Sequence, residues 1–445
     1  MKKTHAKALL VTAVIFCITL SSCGKNKPAH NYQFNAQAGN AAVYPDVNFA
    51  VLSDLHIYDP SLGSSGSAFE HAMNSDRKLL LDGIDLLDFA IETIILSGVK
   101  FVIIPGDLTK DGELINHRIV AERLKRFSAA GISVYVVPGN HDINNPDAVR
   151  YEGDHHEPVA TITAADFAQI YGDYGFNSAF MRDSDSLSYV TEPAEGLWLL
   201  ALDACRYREN KPGTEEIVSG KISQETADWI ASVLTAARNA NKAVMALIHH
   251  GVVEHWEGQS KLHPDYLIAD YINFGEFLAS WNVRLAFTGH YHALDITRAD
   301  FGNKFIYDVE TGSLVTAPCP IRYVNIFNNT AYVRTETIVD KLYPGTDFAS
   351  NAMAFVKRTV VLEASNTLKK YFVSDKDTAY IANAVGDAFN AHYSGDEIAS
   401  LRPHFDTKNL GLWGRFIYSQ QRYVLDGLWN DLPPSDKNVS LPLSN

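Results

Sequence analysis

The chain has 445 residues, 46% hydrophobic and 20% charged, with a formal net charge of −14. That length accommodates one large or two ordinary domains with a sizeable packed core, and the composition excludes a disordered chain. The negative balance argues against a nucleic-acid polymer as partner but allows a small anionic substrate drawn in by bound metal.

The first 23 residues read as a targeting segment rather than as structure. Lys2, Lys3 and Lys7 make a positive start, and Ala8 to Leu20 is an apolar run. It is too short to cross a bilayer, which takes about 20 residues. Leu20-Ser21-Ser22-Cys23 then resembles a bacterial lipobox, in which the cysteine is lipidated and becomes the mature N-terminus. This predicts an extracytoplasmic protein of the bacterial cell envelope, held to a membrane by lipid on Cys23. An ordinary secretory signal containing a cysteine is the alternative. Cleavage before Cys23 removes three lysines and no acid, moving the net charge from −14 to −17. Residues 24–46 read as a flexible tether.

Strand and helix patterns then alternate. Strands are expected at Val47–Ser53, Val99–Ile104, Ile132–Val137, Trp198–Leu202, Ala243–Ile248 and Arg284–Thr288. Helices are expected at Ser75–Ser97, Glu113–Ala130, Ser223–Ala240 and Leu267–Ser280, with Gly131 ending the second in the manner of a C-cap. Residues 58–74, with Pro60, Gly63, Gly66 and four serines, read as a loop and a candidate substrate lid. Residues 294–338 switch to strand-like runs such as Lys304–Val309 and Ala331–Thr335. Past Tyr343-Pro344-Gly345 the pattern is helical, at Met353–Tyr371, Thr378–Tyr393 and Gly411–Trp429. The whole implies an α/β (α+β) domain over 47–340, sheet covered by helices, and a small helical C-terminal domain over 346–445. Cys205 and Cys319 are either a pair or two buried thiols, and no Cys-x-x-Cys supports a thiolate zinc or redox site.

Five short motifs each end an apolar run: Asp54-Leu55-His56, Gly106-Asp107, Gly139-Asn140-His141-Asp142, His249-His250 and Gly289-His290-Tyr291-His292. Asp and His two residues apart on an extended segment reach the same side, so Asp54 and His56 can share one cation. A carboxylate after a tight glycine turn, Asp107, can bridge two. Asn140 offers a neutral oxygen, and the adjacent His141 stays free to act on substrate. Any one motif alone is equally an ordinary turn. Asp154-His155-His156 repeats the first spacing in a polar stretch and reads as a surface turn. Together the five supply the carboxylate, amide and imidazole donors that hold two divalent metals side by side.

In that order the motifs resemble the calcineurin-like metallophosphoesterases, over about residues 47–310. The resemblance implies a two-sheet β-sandwich flanked by helices, with a dinuclear site at strand ends. It implies that Asp54, His56 and His292 bind one metal, that Asn140, His249 and His290 bind the other, and that Asp107 bridges them. His141 would contact the phosphoryl group or protonate the leaving oxygen. The metals would be Mn, Fe or Zn, and hydrolysis would proceed by in-line attack of a bridging hydroxide. Lys110 stands where purple acid phosphatases carry their tyrosine, which argues against an iron–tyrosinate centre. Asp142, Tyr58-Asp59-Pro60-Ser61-Leu62, the helical tail and the lipobox look more like secreted bacterial class III cyclic-nucleotide phosphodiesterases. The expected substrate is therefore a cyclic nucleotide or similar small phosphodiester. Alternatives are a phosphomonoester, from a nucleotide or phosphoprotein, and a non-catalytic lipoprotein that binds a partner through its helical tail. His255 and His263, on a loop with Trp256, are expected to line the substrate pocket or to be solvated. His117 is expected at the surface or just behind the ligands, and Thr311-Gly312-Ser313 at the site floor or in a plain turn.

Overall fold

A computed structural model describes residues 30–35, 42–74, 76–395 and 397–444. The expected signal segment, Cys23 and most of the expected tether lie outside the described residues. Among the described residues the strands form two large sheets and one hairpin. The first sheet holds β1 (Val47–Val51), β2 (Phe101–Ile104) and β3 (Ser133–Val136), all parallel. The hairpin is β4 (Val149–Glu152) with β5 (His155–Pro158). The second sheet holds β6 (Met181–Arg182), β7 (Tyr189–Ala194), β8 (Leu197–Leu202), β9 (Ala243–Ile248), β10 (Leu285–Thr288), β11 (Asp295–Phe301) and β12 (Lys304–Glu310). Strands β8, β9, β10 and β12 run parallel. The first sheet is completed by β13 (Pro320–Phe327), β14 (Thr330–Thr337) and β15 (Asn438–Pro442), antiparallel beside β1 in the order β15-β14-β13-β1-β2-β3.

The parallel strands are apolar throughout because they are covered on both faces. All six residues of β9 are buried, as are all four of β10. Phe49 on β1 stacks on Phe101 of β2, with ring centroids 4.8 Å apart. It meets Phe287 of β10 edge-on at 5.3 Å. That second contact crosses between the sheets and makes the pair a sandwich.

The helices include α1 (Ser67–Asn74), α2 (Gly83–Ser97), α3 (Leu114–Ala129), α4 (Ala164–Ile170), α5 (Gln224–Asn239), α6 (Gln259–Leu262) and α7 (Tyr271–Ser280). Ile230, Val233 and Leu234 of α5 and Phe274, Phe277 and Leu278 of α7 form one core with Leu200, Ala246 and Ile306 of the second sheet. Gly131, with φ +75°, ends α3 as the sequence suggests.

Beyond Gly345 come α8 (Phe348–Lys370), α9 (Asp375–Tyr393) and α10 (Leu412–Leu428). Leu368, Val373, Ile381, Ala382 and Leu410 make a small core of their own. Val356, Phe389, Tyr393, Val424 and Leu428 join the core of the sandwich instead. The tail is not helical to its end. It returns as β15 along the first sheet, and an edge strand of five residues with one buried side chain, Leu441, carries too little pattern to be read in advance.

Two other expectations change. Residues 67–74 are helix rather than loop, with Phe69 packed on Tyr58 and Tyr151; one buried residue in eight leaves no periodicity. The helix expected from Ser75 begins at Gly83. Before it, the N–H of Leu79 bonds to the carbonyl of Val315 (2.6 Å), and a single 3-10 turn, Leu80–Asp82, leads into the helix. Cys205 and Cys319 are free thiols.

Candidate metal centre

Five of the parallel strands end at one edge of the sandwich, where open α/β sheets bind ligands. Asp54 and His56 follow β1, Asp107 follows β2, Asn140 and His141 follow β3, His249 follows β9, and His290 and His292 follow β10. The backbone there is strained. Asp54, His56, Asp107, His290 and His292 all have positive φ, between 39° and 73°. Such geometry costs a non-glycine residue of the order of 1–3 kcal/mol and persists only where the surroundings enforce it. Two glycines make room for the carboxylates. A β-carbon on Gly139 would collide with the carboxylate of Asp107, and one on Gly289 with that of Asp54.

The donors form two groups with one shared member. Asp54, His56, Asp107 and His292 each bring a ligating atom within 4.8 Å of the others, and so do Asp107, His249 and His290. Nε2 of His56 lies 3.1 Å from Nε2 of His292 and 3.6 Å from Oδ2 of Asp107. That same Asp107 oxygen is 3.3 Å from Nε2 of His249, which is 3.0 Å from Oδ1 of Asn140. All seven side chains thus converge, with Asp107 at the junction.

Neighbours set which atoms face inward. Nδ1–H of His249 donates to the carbonyl of Pro105 (2.7 Å), leaving Nε2 as the donor atom toward a cation. Nε2 of His290 lies 3.3 Å from the carbonyl of Asp265, which leaves its Nδ1 for the site. The Asp54 carboxylate accepts the N–H of His290 (3.0 Å) and the hydroxyl of Ser53. Ser313 donates to the carbonyl of Asp54 (2.8 Å), so the Thr-Gly-Ser turn holds the site floor.

These residues fit a pair of cations. Two imidazole nitrogens, of His56 and His292, face each other across 3.1 Å, and Oδ1 of Asn140 faces Nε2 of His249 across 3.0 Å. A carboxylate, amide and imidazole set of this kind suits Mn, Fe or Zn. Burial first, then Lys78 beside His56 and the neighbouring histidines beside His290, drives both well below the ordinary histidine value, toward the neutral form that binds metal.

His141 stands apart from the ligand groups. Its N–H donates to Oδ1 of Asp107 (3.0 Å), while its ring turns to Oδ1 of Asp111 (3.1 Å from Nδ1) and Oε1 of Glu216 (3.5 Å from Nε2). Burial opposes its charge, but Glu216, Asp107 and Asp111 together raise it to about 10. Asp142 points away from the site. It accepts from the N–H groups of Leu108, Thr109 and Gly139 and fastens the second motif to the third.

The remaining candidates divide. His117 is fully buried behind the ligands, bonded to the carbonyl of Asp142 (2.8 Å) and near the hydroxyl of Tyr171 (2.9 Å). Asp154-His155 is an exposed hairpin turn. His250 is buried, with Nε2 2.8 Å from the carbonyl of Val218. His263 lines the cavity beside the site. His255, expected there too, does not: it is fully buried and bonded to Asp295 (2.7 Å), because Trp256 packs into the core and draws the loop inward. Lys110 pairs with Asp111 and lies over the ring of Tyr151.

Three cavity residues escaped the sequence reading. Lys78 lies in the run read as the start of a helix, Glu216 and Tyr266 in segments without motif or periodicity, and only the fold carries them to the strand ends. The cavity has a volume of about 1140 Å³ and runs from His141 and Lys78 to a wall of Val360, Leu368, Phe389 and Leu425 on the C-terminal helices.

The calcineurin-like phosphoesterase family model matches residues 47–294. No curated protein matches the chain. Among solved structures, it is similar to a dimetal phosphatase from Danio rerio at 16% identity and TM-score 0.47, over 66% of this chain and 97% of that one. It is similar to a purple acid phosphatase from yellow lupin at 13% and 0.40, over 67% of this chain and 52% of that one. The matched segment spans more than half of the chain and contains all seven converging donors, so the chain belongs to the calcineurin-like phosphoesterases, a family of hydrolases that use two metal ions.

Proposed function

We propose that the protein is a phosphodiesterase acting on a small phosphodiester with an apolar or aromatic organic part, a cyclic nucleotide being the class that suits it. We also propose that lipid on Cys23 anchors it outside the cytoplasm. The observation that carries the substrate reading is the shape of the cavity. Cationic and hydrogen-bonding groups, Lys78 and His141, lie at the metal end, and Val360, Leu368 and Phe389 lie at the other. A phosphate and an organic group joined in one molecule match those two ends.

When bound, the two cations supply Lewis-acid charge to the phosphoryl oxygens and acidify water at neutral pH. The chain's residues do the rest. Asp54, His56 and His292 would hold one cation and Asn140, His249 and His290 the other, with Asp107 shared between them. Lys78, buried at the cavity wall, adds a positive charge facing the phosphoryl group. Asp111 bonds to Nδ1 of His141 and fixes the ring, so that Nε2 can donate a proton to the departing oxygen. Rings such as Tyr266 and Phe389 offer faces on which a base can stack.

The test compares bis(p-nitrophenyl) phosphate with p-nitrophenyl phosphate in the presence of Mn²⁺, followed by 3′,5′- and 2′,3′-cyclic nucleotides. The diester and at least one cyclic nucleotide should turn over faster than the monoester. Preference for the monoester by tenfold or more would overturn the reading.

A further inference from the structure

We infer that the chain holds a third divalent cation, apart from the catalytic pair, between Asp295, His392 and Glu397. Asp295 opens β11, His392 lies in the last turn of α9, and Glu397 follows in the next loop. The three are 0%, 0% and 2% exposed. Each brings one ligating atom within 4.8 Å of the others, and none belongs to the two groups at the strand ends.

The spacing suits a common ion. Nδ1 of His392 lies 2.6 Å from Oε1 of Glu397 and 3.8 Å from Oδ2 of Asp295. Nitrogen and oxygen donors at about 2.0–2.2 Å from one ion stand roughly 3–4 Å apart; the second distance falls in that range, and the first, a hydrogen bond without the ion, would open by a few tenths of an ångström to admit it.

The charge balance calls for a cation. Asp308, Glu310, Asp431 and Asp436 surround the three, giving six carboxylates around two imidazoles and one guanidinium. The guanidinium, Arg322, is spent on the carbonyls of Glu310, Asp295 and Asp436. His255 takes Oδ1 of Asp295 (2.7 Å) and lies 3.4 Å from both Asp308 and Glu310. Oδ2 of Asp295, fully buried and turned toward His392, has no hydrogen-bond partner among the described residues. A His392–Glu397 pair alone would leave that oxygen unanswered, which buried carboxylates rarely tolerate.

One imidazole with carboxylates selects Zn²⁺ or Mn²⁺ over Ca²⁺, which takes oxygen donors. The ion would tie the start of β11, three residues past His292, to the helices that wall the cavity. Tyr291, between two candidate catalytic ligands, packs its ring 5.6 Å from that of His392. The third ion would therefore hold the C-terminal helices in register with the catalytic centre.

The experiment uses the mature full-length protein saturated with Zn²⁺. Its crystals should give an anomalous peak at the zinc edge within bonding distance of Asp295, His392 and Glu397. The peak should persist in Asp107→Asn, which disturbs the catalytic pair, and disappear in Glu397→Gln, with one fewer zinc per chain. Absence of a peak at this cluster in the wild-type protein at saturating zinc overturns the inference, whatever the catalytic positions hold. A peak that vanishes in Asp107→Asn overturns its independence of them. Should Glu397→Gln fail to fold, the wild-type and Asp107→Asn maps decide the matter.

Discussion

The carboxylate of Asp107 fills the space where a side chain on Gly139 would begin. The contact joins the ends of β2 and β3 and leaves Oδ2 of Asp107 facing His56 on one side and His249 on the other. Asp107→Asn should abolish turnover and release metal from at least one position. Gly139→Ala should push the carboxylate aside and lower activity by roughly 10²-fold, the scale of an ångström-sized misplacement. Activity and metal content of the purified variants check both. Near-normal rates with two catalytic metals retained in Asp107→Asn would remove Asp107 from the bridging role.

His141 touches Asp107 through its N–H but sends its ring to Asp111 and Glu216. His141→Ala should keep both catalytic metals and lower kcat by roughly 10²–10⁴-fold, the usual contribution of a positioned acid. The loss should shrink for p-nitrophenyl esters, whose leaving group needs little protonation. An equal loss on activated and unactivated esters would exclude His141 as the leaving-group acid.

Lys78 lines the cavity from the irregular segment that precedes α2. Removing a charged hydrogen-bonding group costs about 1.5–3 kcal/mol, so Lys78→Ala should lower kcat/KM for an anionic diester by about 10- to 100-fold. Lys78→Arg should restore part of it. Steady-state kinetics on the two variants decide, and an unchanged kcat/KM in Lys78→Ala would show that the lysine does not meet substrate.

Burial pulls His117 down to about 3, against the opposing bond to the carbonyl of Asp142. Its unfolded value is about 6.5, so folding is favoured by the neutral ring above that pH. The contribution, of the order of a few kcal/mol, is lost as pH falls from about 6.5 toward 3. Urea unfolding between pH 7 and 4 should show stability falling with acid, and His117→Gln should flatten that slope even if it lowers stability overall. Identical slopes in the two proteins would contradict the assignment.

Cys23→Ser tests the proposed anchor. The variant should appear in the soluble fraction or remain unprocessed, whereas the native protein should partition into detergent. Equal partitioning of both would exclude lipid on Cys23.

The sequence by itself determined the ligand chemistry and the order of the elements that carry it. Strands such as Ala243–Ile248 are continuous apolar runs because both faces are covered, and each ends in a polar motif. Donor type and position at a strand end are local properties, so Asp54, Asp107, Asn140 and the histidines could be named in advance. Distances between separate segments are not local, and only the tertiary structure decided them. Pairing of β1 with β2 carries Asp107 to His56, and packing of the two sheets against each other carries it to His249. The inward turn of the loop after β9 puts His255 in the core rather than in the cavity. Glu216 reaches the site from a segment with no pattern, Lys78 from a stretch expected to be helix that precedes the helix instead, and β15 joins its sheet through backbone hydrogen bonds that any sequence can make. The cluster of Asp295, His392 and Glu397 draws on a strand and, about a hundred residues later, on a helix end and the loop that follows it. No spacing rule connects such positions, and only packing the C-terminal helices against the sandwich brings their side chains together.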